Sequence, residues 1–301
     1  MYEQIAANKR RTAVLIAAFV LLLVGVGLAV NVLFAGGWIG FAVILVVVAG
    51  SSFLSYRNSD KVALSLSRAV PADPVEYARY HNLVEGLCIA SGLPKPRLYI
   101  VADDAPNAFA TGRDPKHAAI AVTTGLLDKM NRVELEGVLA HELSHIRNYD
   151  ILVMTIAVTM VGITAVVSDV LLRFMFWGGR GRDDDGGSNN PAAAIFALLG
   201  LVLLVFAPII ASLMKYAVSR NREFLADASG VQLTRYPPGL VSALEKLKDD
   251  RTVVRTSSKA TAHLWIEEPL ETVDERGPNR LNHLFATHPP IADRIRALQE
   301  M

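Results

Sequence analysis

Residues 131–149 have the sequence NRVELEGVLAHELSHIRNY, and the interpretation of the whole chain starts from this stretch. Asn131 with Glu134 three residues later is the pattern of a capping box, which predicts that a helix begins here. Residues four apart on a helix share one face. His141 and His145 would therefore project their imidazoles to the same side, an arrangement typical of two ligands to one zinc ion.

Glu142 follows the first of these histidines, which would place its carboxylate beside a water molecule at the ion. A catalytic zinc site needs a third protein ligand and keeps one position for water. We therefore expect the ion to lower the pKa of that water, Glu142 to take its proton as general base, and the hydroxide to attack a peptide carbonyl. The alternative is a chance match on an ordinary helix whose histidines serve only the core or the solvent.

A second pair of residues at helical spacing, Glu223 and Asp227, follows later in the chain. We predict that Glu223 is the third zinc ligand and that Asp227 accepts a hydrogen bond from the non-ligating nitrogen of His141. The alternative is a solvated helix face on which both acids pair with neighbouring arginines, Arg220 and Arg222.

Apolar residues are concentrated in blocks. The 301 residues are 52% hydrophobic and 20% charged, and no charged residue occurs between Thr12 and Tyr56. Because a membrane-spanning helix needs about 20 apolar residues, we predict four spans. They lie at about 13–34, 38–56, 151–172 and 192–214. A cleavable signal peptide is the alternative for the first span, but its apolar core would be too long and a second span follows directly.

The distribution of basic residues predicts the orientation of these spans. Most of the 30 Lys and Arg residues lie in residues 57–150 and 215–301. Since basic residues favour the cytoplasmic side, both termini and both of these segments should be cytoplasmic. Each segment is short for an enzyme, so we expect them to form one discontinuous domain. It would be preceded by a membrane hairpin (residues 1–56) and interrupted by a second one (residues 151–214).

The second predicted hairpin also brings the candidate ligands together. His145 precedes the third span by about 9 Å of helix, and Glu223 follows the fourth by about 13 Å, at 1.5 Å per residue. Because the two spans run antiparallel, both ligand sets would stand at a similar height on adjacent helices. The zinc interpretation is therefore favoured, with the ion close to the membrane surface.

The polar segments predict a mixture of helices and short strands, so the fold class is α+β and mainly helical. Strands are predicted at Arg97–Val101, Ala108–Thr111 and Ala118–Thr123. Helices are predicted at 74–91, 131–149, 238–249 and 290–299. Residues 250–278 are polar and irregular, and we expect them to contribute, with the loops around Asn107, to a gate on the site.

The overall composition excludes some classes of site and partner. The net charge of +1 provides no basic field for a nucleic-acid partner. Cys88 is the only cysteine, so neither an intrachain disulfide nor a zinc site built from cysteines is available.

With these motifs the chain resembles the HtpX family of bacterial membrane zinc metalloproteases, which is related to the CAAX prenyl proteases. The resemblance covers nearly the whole chain, including both hairpins. Its motifs are HELSH at 141–145, SRNREFLAD at 219–227, FATHPP at 285–290 and PNAFATG at 106–112.

The resemblance implies one zinc ion per subunit, held by His141, His145 and Glu223 in a gluzincin-type (zincin-like) protease domain with Glu142 as catalytic base. It implies an endopeptidase of the bacterial inner membrane, which takes part in protein quality control and the stress response. The expected partners are the lipid bilayer and misfolded or damaged membrane proteins, cut at the cytoplasmic face.

The resemblance also implies a place where substrate binds. An edge strand would pair with the substrate backbone, in agreement with strand addition as a mode of peptide recognition. It consists of Asn107, Ala108, Phe109, Ala110 and Thr111. The alternative is a plain structural edge.

His288 has two interpretations. A further histidine at the zinc site would donate a hydrogen bond to the tetrahedral oxyanion. Alternatively, it belongs to the turn before the last helix.

Two other functions fit part of the pattern. A membrane transporter or scaffold with a structural zinc site is one, but the spans offer few polar residues for transport and Glu142 would have no role. A protease for prenylated peptides is the other, and such enzymes need a larger membrane chamber than four spans provide. The sequence therefore favours the endopeptidase.

Overall fold

The computed structural model describes residues 2–33, 37–156, 220–252, 254, 264–266 and 289–301. The third and fourth predicted spans lie almost entirely outside the described residues, as does His288.

Two long helices open the chain, α1 (Tyr2–Leu33) and α2 (Gly37–Leu66), and they pack against each other. They contain residues 13–33 and 38–56 of the first two predicted spans and expose large apolar side chains, Leu21, Trp38 and Val46 among them. Of the helices in the described part of the chain, none combines the length and the apolarity needed to cross a membrane. The four spans stay a prediction.

Four strands within the described residues form one small sheet in the order β1-β2-β4-β3. They are β1 (Val70–Pro71), β2 (Arg97–Val101), β3 (Ala108–Gly112) and β4 (Ala118–Thr123). β2 and β4 pair in parallel, whereas β3 is antiparallel to β4 and forms one edge of the sheet. Three of these strands agree with the sequence prediction to within one residue.

Six further helices have both bounds among the described residues, and there is a short 3₁₀ turn at Pro115–His117. They are α3 (Ala78–Ser91), α4 (Thr124–Lys129), α5 (Arg132–Arg147), α6 (Arg220–Thr234), α7 (Pro237–Asp249) and α8 (Ile291–Gln299). The start of α3 differs from the predicted one. The Asp73 side chain accepts hydrogen bonds from the backbone of Val75 and Glu76, and this local turn delays the helix to Ala78.

Helix α5 is the centre of the fold. Its capping box is formed, since Asn131 Oδ1 accepts from the backbone of Glu134 at 3.0 Å and Glu134 Oε2 accepts from the backbone of Asn131 at 2.8 Å. The helix is buried from Leu135 to Ile146, apart from Glu136, and packs against α3, α6, α7 and β3. The candidate ligands on α5 are therefore held inside the core rather than at the surface.

Side chains of the sheet alternate between its two faces, as the strand period requires. Ala108, Ala110 and Ile120 join the cluster around α5, whereas Phe109 and Ala121 face a second cluster that includes the end of α2. The face toward α5 is the one on which the candidate site is built.

Candidate metal centre

The two α5 histidines converge on one point. His141 and His145 are buried, their rings are perpendicular, and their Nε2 atoms lie 3.1 Å apart. Each ring has a carboxylate beside Nδ1, so we place the proton on Nδ1, where it forms a hydrogen bond to that carboxylate. With the proton on Nδ1, the lone pairs of the two Nε2 atoms face each other and can bind the same cation.

Helix α6 adds the third group. Glu223 Oε2 lies 3.7 Å from His141 Nε2, and Glu223 Oε1 lies 3.6 Å from His145 Nε2. The candidate ligand atoms of the three residues all lie within 4.8 Å of one another. This close approach depends on a glycine, because a Cβ on Gly230 of α6 would come within 3.0 Å of the backbone nitrogen of His141.

These residues fit a zinc ion. Tetrahedral zinc with bonds of about 2.0–2.1 Å places its ligand atoms about 3.4 Å apart. The observed separations of 3.1, 3.6 and 3.7 Å are close to that value. Two imidazoles and one carboxylate are also a ligand set of catalytic zinc sites.

The orientation of His141 is set by Asp227, whose Oδ1 accepts from Nδ1 at 2.8 Å. This is the contact that the sequence predicts between these two residues. Asp227 is in turn held by Arg294 of α8, whose Nε and Nη2 donate to its two oxygens at 2.8 and 2.6 Å. Burial alone would raise the pKa of Asp227, but the charge and hydrogen bonds of Arg294 lower it to about 2.

The orientation of His145 is set by Asp150, just past the end of α5. Asp150 Oδ2 accepts from His145 Nδ1 at 3.1 Å, and the carboxylate is 1% exposed. Burial lowers the pKa of His145, but the Asp150 hydrogen bond and the charge of Glu223 raise it to about 9. The site therefore attracts positive charge.

Asp150 is held by two groups from distant parts of the chain. Asn8 of α1 donates to Asp150 Oδ1 at 2.7 Å and to the backbone oxygen of Asn148 at 2.8 Å. The guanidinium of Arg222 is buried beside it, with Nε 3.6 Å from Asp150 Oδ1. Arg222 thus faces the site and does not lie on a solvated face.

Glu142 lies within the same buried region and is 2% exposed. Burial raises the pKa of its carboxyl, although the charges of His141 and His145 oppose this effect. A carboxylate with a raised pKa is better matched to proton transfer near neutral pH than an ordinary glutamate.

The predicted edge strand takes its place in the sheet. Asn107 directly precedes β3, and Ala108 to Thr111 lie within it. All five residues of β3 are buried, so this edge is covered rather than open to solvent.

Three residues of the site escaped the sequence reasoning, namely Asn8, Asp150 and Arg294. Asp150 had a local signal, since it is an acid five residues after His145. Asn8 and Arg294 had no local signal. They lie 142 and 67 residues along the chain from the carboxylates that they bind, those of Asp150 and Asp227.

The sequence of the chain is similar to those of known peptidases. Residues 74–301 match the model of peptidase family M48. A protein named Protease HtpX homolog from Thermoanaerobacter pseudethanolicus is 44% identical over 302 residues, covering 100% of this chain and 98% of the relative. One of the same name from Caldanaerobacter subterraneus subsp. tengcongensis is 45% identical over 303 residues, with the same coverage.

The fold resembles a solved structure as well. The crystal structure of S. mikatae Ste24p superposes with a TM-score of 0.52 at 16% identity, covering 99% of this chain and 67% of that chain. At this identity the likeness concerns the fold alone. The family match and the whole-length relatives together show that the chain belongs to peptidase family M48, as an HtpX-type metalloprotease.

Proposed function

We propose that this metalloprotease is a zinc-dependent endopeptidase of the bacterial inner membrane that cuts misfolded membrane proteins at the cytoplasmic face. The observation that carries the proposal is the convergence of His141, His145 and Glu223 on one buried point, with Glu142 beside them. A structural zinc site would have no use for that buried glutamate.

His141, His145 and Glu223 would hold one zinc ion per subunit. The ion would supply Lewis-acid chemistry, lowering the pKa of a water molecule and polarising the scissile carbonyl. Glu142 takes a proton from the water whose oxygen attacks the carbonyl carbon. As the C–N bond breaks, the same carboxyl returns the proton to the departing nitrogen.

Other residues keep the ligands oriented. Asp227 and Asp150 hold the Nδ1 proton on each imidazole, so that each Nε2 lone pair points to the metal position. Arg294 neutralises part of the negative charge of Asp227 and Glu223, which lie 2.6 and 3.6 Å from its nitrogens. We assign His288 a hydrogen bond to the oxyanion, on the strength of its place in the sequence only.

Membrane attachment is supported by the uncharged stretch between Thr12 and Tyr56 and by the exposed apolar side chains of α1 and α2. A single protease domain made from both polar segments is supported by the packing of α6 and α7 on α5. The excess of basic residues in these segments supports their cytoplasmic location. Misfolded membrane proteins, which reach this surface within the bilayer, would be the substrates.

The test is cleavage of casein, an unfolded protein, by detergent-purified enzyme. Purification in a chelator prevents self-cleavage, and zinc is restored before the assay. We compare the wild type with Glu142→Gln and with Glu136→Gln, a matched control on the same helix. Cleavage by the wild type and the control, but not by Glu142→Gln, is the expected result.

Equal cleavage by all three proteins would identify a contaminating protease and leave Glu142 without its proposed role. Zinc content is measured in parallel, because Glu142→Gln should still bind the ion. Failure of all three to cleave with zinc bound would contradict the endopeptidase proposal.

A further inference from the structure

The outer edge of β3 carries a backbone contact from a distant segment. Asn107 C=O accepts from the backbone of Thr123 at 3.0 Å, so it faces β4. Successive carbonyls of a strand point to opposite sides, so Ala108 C=O faces away from the sheet. The backbone N–H of Ile266 donates to that oxygen at 3.0 Å. Ile266 therefore occupies the edge at which the family resemblance predicts that substrate pairs.

The same residue is held from its other side by Arg294. Arg294 Nη1 donates to the backbone oxygen of Ile266 at 3.3 Å. The same guanidinium binds Asp227 and lies 3.6 Å from Glu223 Oε2. The backbone of Ile266 thus lies between the edge strand and the groups around the metal position, where the backbone of a bound substrate would have to pass.

The side chain of the preceding residue, Trp265, fills an apolar position on the face of the sheet that is opposite to α5. Trp265 is fully buried and packs edge-on against Phe109, with ring centroids 4.7 Å apart. Its indole Nε1 is also buried, and no acceptor lies within reach among the described residues. A buried donor without an acceptor weakens the packing of the group that carries it. The place therefore suits a large apolar ring better than it suits the indole that fills it.

We propose that residues 264–266, the cover segment, occupy the substrate site as an internal competitor. The place beside Phe109 would then be a subsite for a large apolar or aromatic side chain of the substrate. A substrate would replace the cover segment, taking the Ala108 carbonyl as acceptor and Arg294 as donor. Folded proteins bury such side chains and unfolded ones expose them, so this subsite would select unfolded chains. The inference rests on the proposed function, whose substrate class it specifies.

The test measures binding rather than cleavage. All proteins carry Glu142→Gln and are zinc-loaded, so that a fluorescent, unstructured peptide with one central Trp binds without being cut. Trp265→Ala removes the competing side chain. We expect the Kd of this variant for the peptide to fall about tenfold or more, since the state in which the cover segment has left the substrate site becomes more populated. Trp265→Phe keeps an aromatic ring and removes the indole N–H, so this variant should bind the peptide no more tightly than the parent.

A second variant addresses the backbone contact. Ile266→Pro removes the N–H that Ala108 accepts, and it should tighten peptide binding in the same direction as Trp265→Ala. Zinc content and thermal unfolding show which variants are folded. An unchanged Kd in a folded, zinc-loaded Trp265→Ala or Ile266→Pro variant would overturn the inference.

A synthetic peptide with the sequence of residues 262–268 makes the test independent of variant folding. It should displace the labelled peptide from the parent protein, and its counterpart with Ala in place of Trp265 should not. Lack of displacement at a hundredfold excess would also overturn the inference. Labelled peptides with Trp, Leu or Ala at the central position measure the subsite directly, and equal Kd values for all three would remove its assigned preference.

The outcome is separable from that of the casein experiment. If casein is not cleaved but Trp265→Ala binds the peptide more tightly, the endopeptidase proposal fails and the covered site stands. If casein is cleaved in the expected pattern and the Kd values do not change, the cover segment is only a structural contact.

Discussion

Asp150→Asn tests the link between the metal centre and the rest of the fold. The substitution conserves the size of the side chain but removes the charge that lies 3.1 Å from His145 Nδ1. Loss of such a partner lowers metal affinity by about 10–100-fold, which corresponds to about 1.4–2.7 kcal/mol of binding free energy. Asp150 is 1% exposed, so solvent does not compensate for the lost charge. We therefore expect the zinc Kd to rise within that range.

The assay is competition for zinc between the protein and a fluorescent chelator at neutral pH. Asp249→Asn is the matched control, because Asp249 is an exposed carboxylate at the end of α7. The control should leave the zinc Kd within about twofold of the wild type. Thermal unfolding of each protein in excess chelator separates an effect on the metal from an effect on the fold.

A zinc Kd for Asp150→Asn that matches the control would refute the reasoning. It would mean that packing alone orients the imidazole of His145 and that the carboxylate contributes nothing to the ligand. A fall in metal-free stability with no change in zinc affinity would lead to the same conclusion, since Asp150 would then serve only Asn8 and Arg222.

Two further changes test the packing and the charges around α5. Gly230→Ala places a Cβ 3.0 Å from the backbone nitrogen of His141 and should cost about 1–3 kcal/mol of unfolding free energy by overpacking, and it should also weaken zinc binding. The matched change Gly86→Ala, with open space around its Cβ, should be neutral or stabilising, and equal effects of the two would contradict the close-packing argument. Glu134→Gln tests the cap of α5: burial raises the pKa of Glu134, but hydrogen bonds from Lys246, Ser242 and the backbone of Asn131 hold it below the usual pKa of a glutamate. Because the folded pKa is lowered, the ionised carboxylate stabilises the fold above the unfolded pKa of about 4.3, and this contribution is lost as the pH falls through the folded pKa. In urea unfolding the variant should therefore be less stable than the wild type at pH 7, with a smaller difference in acid, and a constant difference would contradict the assignment.

Much of the secondary structure near the site follows from local sequence. The capping box at Asn131 and the strand pattern at Arg97–Val101 predict elements whose observed starts agree with them. Both signals act over a few residues, through a side chain that satisfies nearby backbone donors or through alternation of apolar positions. The spacing of His141 and His145 belongs to the same class, because a helix alone brings residues four apart to one face.

The tertiary structure decided how that pair becomes a site. Glu223 reaches the histidines only because α6 packs tightly on α5 at Gly230, and Asp150 is held by Asn8 from the first helix of the chain. Sequence spacing does not predict such contacts, since they depend on how separate helices pack and not on the period of any one helix.

The edge strand shows the same difference between what local sequence predicts and what tertiary packing decides. The sequence predicts a strand at Ala108 and a resemblance assigns it to substrate, but the contact of Ile266 with that strand joins residues 158 positions apart. Residues 250–278 have no helical or strand period, so nothing local could place Trp265 beside Phe109. Local sequence thus determined which elements form and which side chains can bind a metal. Only long-range packing decided what surrounds the metal position and what covers the edge strand, because buried side chains find their partners through the fold as a whole.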